Sequence, residues 1–127
     1  MRTILRDPAH QGTTQKNRSE ASLVLELHLR ELGIRFEPEV LLVPHRKFRL
    51  DYWCFDKQAR EFGIEIDGGI FRKGGGAHTG KGHLRDLDKG NEAAIRGIHV
   101  FHFTPQQCLN GDARKTLKRW LAREPKA

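Results

Sequence analysis

The stretch Phe48–Gly69, "FRLDYWCFDKQAREFGIEIDGG", decides the fold. Its first eight residues alternate, with Phe48, Leu50, Tyr52 and Cys54 on one face and Arg49, Asp51, Trp53 and Phe55 on the other. That is the period of a β-strand. "DKQAREF" is a polar turn, and "GIEIDGG" resumes as a second strand that Gly68 and Gly69 end. Two such runs around a short polar segment predict an antiparallel hairpin. If it closes symmetrically about Gln58, Asp51 falls across from Glu65.

The second strand carries Glu65 and Asp67 on one face, about 6 to 7 Å apart, with Ile64 and Ile66 on the other. Cross-strand neighbours on one face lie about 5 Å apart, so Asp51, Glu65 and Asp67 are expected to form a carboxylate cluster. Like charges at that distance raise one another's pKa unless a cation offsets them. Two or three carboxylates completed by water are what Mg2+ or Mn2+ prefers. The bland alternative has Glu65 and Asp67 facing solvent, paired with Arg49 or Arg60.

Working outward, Ser19 suits a helix N-cap, and Ala21, Leu25, Leu29 and Leu32 follow at helical spacing before Gly33. "IRFEPEVLLV" reads as a strand ahead of the hairpin. After it, a Gly-, Lys- and His-rich loop is expected to run to about Gly82, then a helix from about Leu84 to Arg96. "IHVFHFT" is a strand stopped by Pro105, and one amphipathic basic helix packing Leu117, Trp120 and Leu121 ends the chain. Residues 1–17 lack periodicity and read as a flexible basic arm, leaving 18–127 as a single domain. The order α-β-β-β-α-β-α indicates an α/β fold, a mixed sheet flanked by helices.

At 127 residues the chain suffices for one core. It has no apolar run near the roughly 18 residues of a membrane span. The start, "MRTILRDPAHQG", is polar where a signal peptide would be apolar, so a cytoplasmic location is expected. Cys54 and Cys108 form no CxxC, which argues against a disulfide framework or structural zinc. The net charge of +7 predicts attraction to polyanions, nucleic acid first. The basic residues concentrate in His45–Arg49, Phe71–Arg85 and Ala113–Arg123, segments that could line one groove.

With these residues in place, "LDYWCFD…FGIEIDGG" resembles the signature of the PD-(D/E)XK nuclease superfamily. The branch it most resembles is that of small phage and bacterial enzymes of the very-short-patch-repair-like and VRR-NUC-like kinds. The similarity runs from about Ser19 to Pro105. It implies a restriction-endonuclease-like core, Asp51 and Glu65 as ligands of Mg2+ or Mn2+, Glu20 as a further acid of the site, and metal-dependent endonucleolytic cleavage of DNA, with branched, junction or mismatched DNA as candidate substrates. Paired cutting of a junction would require a homodimer.

Two positions depart from the pattern. Leu50 replaces the usual Pro, and Asp67 replaces the Lys expected two residues after Glu65. That Lys would come from elsewhere, and Lys89, on the helix expected over the hairpin, is the first candidate. Otherwise Lys89 is a surface lysine paired with Asp86 or Glu92, and Glu20 an acid favoured by the helix dipole. Loss of the motif Lys also admits a second function, a nucleic-acid-binding module without catalysis.

The loop "GGAHTGKG", Gly75–Gly82, nearly matches a phosphate-binding loop, but Gly82 stands where a hydroxyl residue would hold Mg2+ and no buried strand leads into it. A basic lid is the more economical reading, with Arg72, Lys73 and Lys81 on phosphates and His78 and His83 as proton donors or DNA contacts. Zinc on His78 and His83 is a weaker reading, without nearby Cys. His99 and His102 point to opposite faces of their strand and read as structural, and Trp53 as core packing or a base-stacking platform.

Overall fold

The structure is a computed structural model. It describes residues 5–6, 19–43, 48–68 and 80–123, with the backbone alone for 5–6, 80–83 and 85. A mixed sheet carries helices on both faces. Its strands are β1 (Leu5–Arg6), β2 (Arg35–Val43), β3 (Phe48–Phe55), β4 (Glu61–Ile66) and β5 (His99–Phe103), side by side in that order. The helices are α1 (Glu20–Glu31), α2 (Gly80–Ile95), α3 (Pro105–Asn110) and α4 (Asp112–Ala122). Neighbouring strands are antiparallel except β4 and β5, which are parallel because α2 intervenes and returns the chain to the same end of the sheet.

The hairpin register is the expected one: Tyr52 faces Ile64, Trp53 faces Gly63 and Phe55 faces Glu61. Asp56, buried at the end of β3, enforces it. Its carboxylate accepts hydrogen bonds from the backbone N–H of Gln58 at 2.8 Å, that of Arg60 at 3.0 Å, and Arg60 Nε at 2.8 Å. The turn length is thereby set by a charge that has no other way to be solvated.

Two clusters cover the two faces. Ala21, Leu25 and Leu29 of α1, with Cys108, Leu117 and Trp120 of α3 and α4, pack on Tyr52, Cys54, Phe62, Ile64 and Phe103. Ala93 of α2 and Ile98 pack with Leu42, Val43, Phe48 and Leu50, joined by Trp53 and Val100. Phe48 and Leu50 therefore leave the face expected of them, although the burial alternates along β3 as predicted. Gly63 makes room for this, since a Cβ there would lie 3.0 Å from Leu50 Cδ1. Within the first layer Glu26 is buried and accepts a 2.6 Å bond from Tyr52 Oη, which ties α1 to β3.

Three differences from the expected layout have local causes. Leu5–Arg6, in the segment expected to be an arm, pairs with Leu41 and Val40 as an edge strand. α2 begins at Gly80, earlier than Leu84, its start hidden by two glycines of low helix propensity. The C-terminal helix is two helices: Thr104 caps α3 through a reciprocal box with Gln107, Pro105 occupies the first turn, and Gly111 at φ 91° separates it from α4. Pro105 ends the strand as expected, yet it also starts a helix, where its missing N–H costs nothing.

Replacing Asp56 with Ala should destabilise the fold by about 3 kcal/mol, because it strands Arg60 and two backbone donors. Urea unfolding measures this, and a loss under about 0.5 kcal/mol would show that the turn holds without its carboxylate.

Candidate active site

β3 and β4 place Asp51 and Glu65 opposite each other, and there the regular ladder gives way to side chains. The backbone N–H of Asp51 donates to Glu65 Oε2 at 2.8 Å, and that of Ile66 donates to Asp51 Oδ2 at 2.7 Å. Each carboxylate is thus aimed by a backbone donor on the neighbouring strand. On the other flank of Asp51, Glu39 of β2 has φ 54°, a left-handed conformation costly for a non-glycine residue, between the regular pairs Pro38–Tyr52 and Val40–Leu50. Asp51 therefore sits between two irregular positions.

Lys89 reaches this pair from α2, and its Nζ donates to Glu65 Oε1. Of the two sequence readings of Lys89, the structure has the one that brings it to the carboxylates, since it pairs with neither Asp86 nor Glu92. The group is largely buried, with side-chain exposures of 23% for Lys89 and 13% for Glu65. Burial, then repulsion from Asp51, pushes the Glu65 carboxyl up to about 7, against the pull of Lys89. Burial also raises Asp51, opposed by the Ile66 N–H and by Lys89. Two acids and one ammonium leave the pocket short of positive charge.

Asp67 takes a different partner. β4 ends at Ile66, so strand alternation no longer governs Asp67; its N–H donates to Phe103 O at 2.8 Å and its Oδ2 meets His102 Nδ1 at 2.8 Å. The hydrogen bond to Asp67 raises the His102 pKa, with burial opposing. Asp67 remains near enough to act electrostatically on Asp51. Yet among the described residues no group of three or more His, Cys, Asp and Glu side chains is placed to hold one metal ion. The three-carboxylate cluster expected from the sequence is thus a carboxylate pair with a lysine, flanked by an Asp–His pair.

His102 is the residue that the sequence reading missed. It stands opposite Glu65 in the parallel pairing, while His99 turns to the other face and packs on Trp120 with ring centroids 5.2 Å apart. The opposite faces were legible in the spacing; that one of them is the carboxylate face required the β4–β5 register. Trp53 has the core role: it packs in the α2 layer, and its indole N–H donates to Glu61 at 3.3 Å. Glu20 is exposed in the first turn of α1 and has no bond or ion pair to Asp51, Glu65 or Lys89. Arg72, Lys73 and His78 lie outside the described residues, as do the side chains of Lys81 and His83, whose backbone belongs to the first turn of α2.

Of the three basic segments expected in one groove, α4 packs on the face opposite Lys89 and does not join this site. Cys54 and Cys108 are free and buried, and burial raises both thiols, Cys108 to about 11. No helix of the described residues is long and apolar enough to cross a membrane. No family model, curated protein or solved structure matches the chain.

The raised Glu65 pKa makes stability depend on pH. Between its ordinary value of 4.5 and about 7, the folded protein holds a proton that the unfolded chain releases, so stability falls as pH rises through that window. Wild type should lose up to roughly 3 kcal/mol more than Glu65→Gln between pH 5 and pH 8, measured by urea unfolding at each pH. Parallel pH profiles of the two proteins would refute the shift.

Proposed function

We propose that Asp51, Glu65 and Lys89 form the catalytic centre of a metal-dependent endonuclease that hydrolyses phosphodiester bonds in DNA, on a restriction-endonuclease-like core. The observation that carries this reading is the contact of Lys89 with Glu65: a lysine on α2 stands in for the one that the motif lacks at Asp67. Nothing in the packing of the fold requires two buried, adjacent carboxylates. Their cost is explained if they serve a cation and a substrate that are both absent during folding.

The donor set fits Mg2+ or Mn2+. Mg2+ keeps several waters and is commonly held by one or two carboxylates together with substrate phosphates, so a pair without a third acid is sufficient. Asp51 and Glu65 would hold the ion; burial first, and repulsion from neighbouring acids after it, raise both carboxyls, and a bound divalent cation would favour their charged forms. Once bound, such an ion supplies Lewis acidity, lowering the pKa of a water and withdrawing charge from the phosphate.

The chain's own groups contribute the rest. The backbone N–H groups of Asp51 and Ile66 fix the orientation of the carboxylates before substrate arrives. Lys89 brings a positive charge to where the phosphoryl oxygens gain negative charge in the transition state, in a part-buried pocket where water screens it less than at the surface.

Purified protein is expected to cut supercoiled, single-stranded or branched DNA with Mg2+ or Mn2+ and to stop in EDTA. Asp51→Ala and Lys89→Ala should each lower the rate by about 100-fold or more. Equal digestion by wild type and Asp51→Ala would overturn the assignment. At pH 8, Mg2+ should also raise the thermal midpoint of wild type and leave that of Asp51→Ala unchanged.

A further inference from the structure

The most basic element of the described fold is α4, which with Arg123 carries Arg114, Lys115, Lys118, Arg119 and Arg123 against a single acid, Asp112. Its inner face is buried through Ala113, Leu117 and Trp120. Arg30 pairs with Glu26, Arg60 with Asp56 and Arg96 with Glu92, and on α4 itself Arg114 pairs with Glu31 at 3.4 Å. Arg123 lies 3.8 Å from the Trp120 ring. Lys115, Lys118 and Arg119 differ: they are exposed, and none of their side chains has a hydrogen bond, ion pair or ring contact among the described residues.

Their spacing places all three on one outer face, with Lys115 three and four residues before Lys118 and Arg119. Like charges so placed work against the helix, and no carboxylate of the described fold relieves them. Lys115 and Arg119 are separated by about 6 Å along the axis. A nucleic-acid strand presents a phosphate every ~3.4 Å of duplex axis, so two or three phosphates come within reach of the long side chains. An anionic membrane fits less well, because a helix that lies in a membrane surface inserts its apolar face, and that of α4 is committed to the core.

We propose that the outer face of α4, through Lys115, Lys118 and Arg119, binds the phosphodiester backbone of nucleic acid at a surface separate from the carboxylate pair. This surface requires neither metal nor cleavage, and so stands or falls apart from the catalytic reading.

The test is fluorescence anisotropy of a labelled mixed-sequence DNA duplex in EDTA over a salt series, with folding of each variant checked by circular dichroism. Three phosphate contacts correspond to a log K against log salt slope of about 2.7, so the Lys115→Gln/Lys118→Gln/Arg119→Gln variant should lose nearly that much slope and bind at least about tenfold more weakly at low salt. Arg35→Gln/Lys57→Gln, on other elements, should have a much smaller effect. Unchanged affinity and slope in the triple variant would overturn the proposal. So would a per-charge loss in the Arg35/Lys57 variant equal to that in the triple variant, which would reduce the effect to net charge. Loss of binding to anionic vesicles, with DNA binding intact, would assign the face to lipid and likewise overturn it.

Discussion

The buried carboxylate of Asp56 is the constraint on which the rest of the molecule depends. By accepting from Gln58 N, Arg60 N and Arg60 Nε, it fixes how many residues separate β3 from β4. A slip of one residue would send every side chain of a strand to the other face. Phe62 and Ile64 would then leave the α1 and α4 layer, and Glu65 would no longer meet Asp51. The turn therefore sets the core and the site in one step.

Around that register several irregularities gather beside Asp51, while Ala59 in the turn takes a left-handed backbone of its own, φ 64°. Asp51 and Glu65 replace part of the β-ladder with side-chain bonds, Glu39 takes a left-handed backbone beside them, and Gly63 stays bare so that Leu50 can cross above it. Burial of two acids costs free energy, and a single ammonium offsets it only in part. These departures from regular structure meet at the carboxylate pair. The opposite layer is regular and apolar, with Glu26 satisfied by Tyr52.

Much of this was legible in the chain. The alternation of Phe48–Phe55, the polar turn and the second strand implied the hairpin and put Asp51 against Glu65, because period and turn length are local quantities. The first helix was readable from Ser19 to Gly33 for the same reason. Where a local signal carries two meanings, tertiary packing chooses between them. Pro105 both ends β5 and begins α3, and the glycines ahead of Leu84 looked like loop although α2 starts at Gly80.

The sequence by itself determined the α/β layout, the hairpin register and the pairing of Asp51 with Glu65, since each follows from neighbours a few positions apart. Only the tertiary structure decided what surrounds the pair. Lys89 lies 24 residues from Glu65 and arrives through the packing of α2. His102 lies 35 residues from Asp67, and the parallel register of β4 and β5 brings the two together. Both contacts depend on how a crossover helix returns the chain to the sheet, a long-range geometry that no local periodicity encodes.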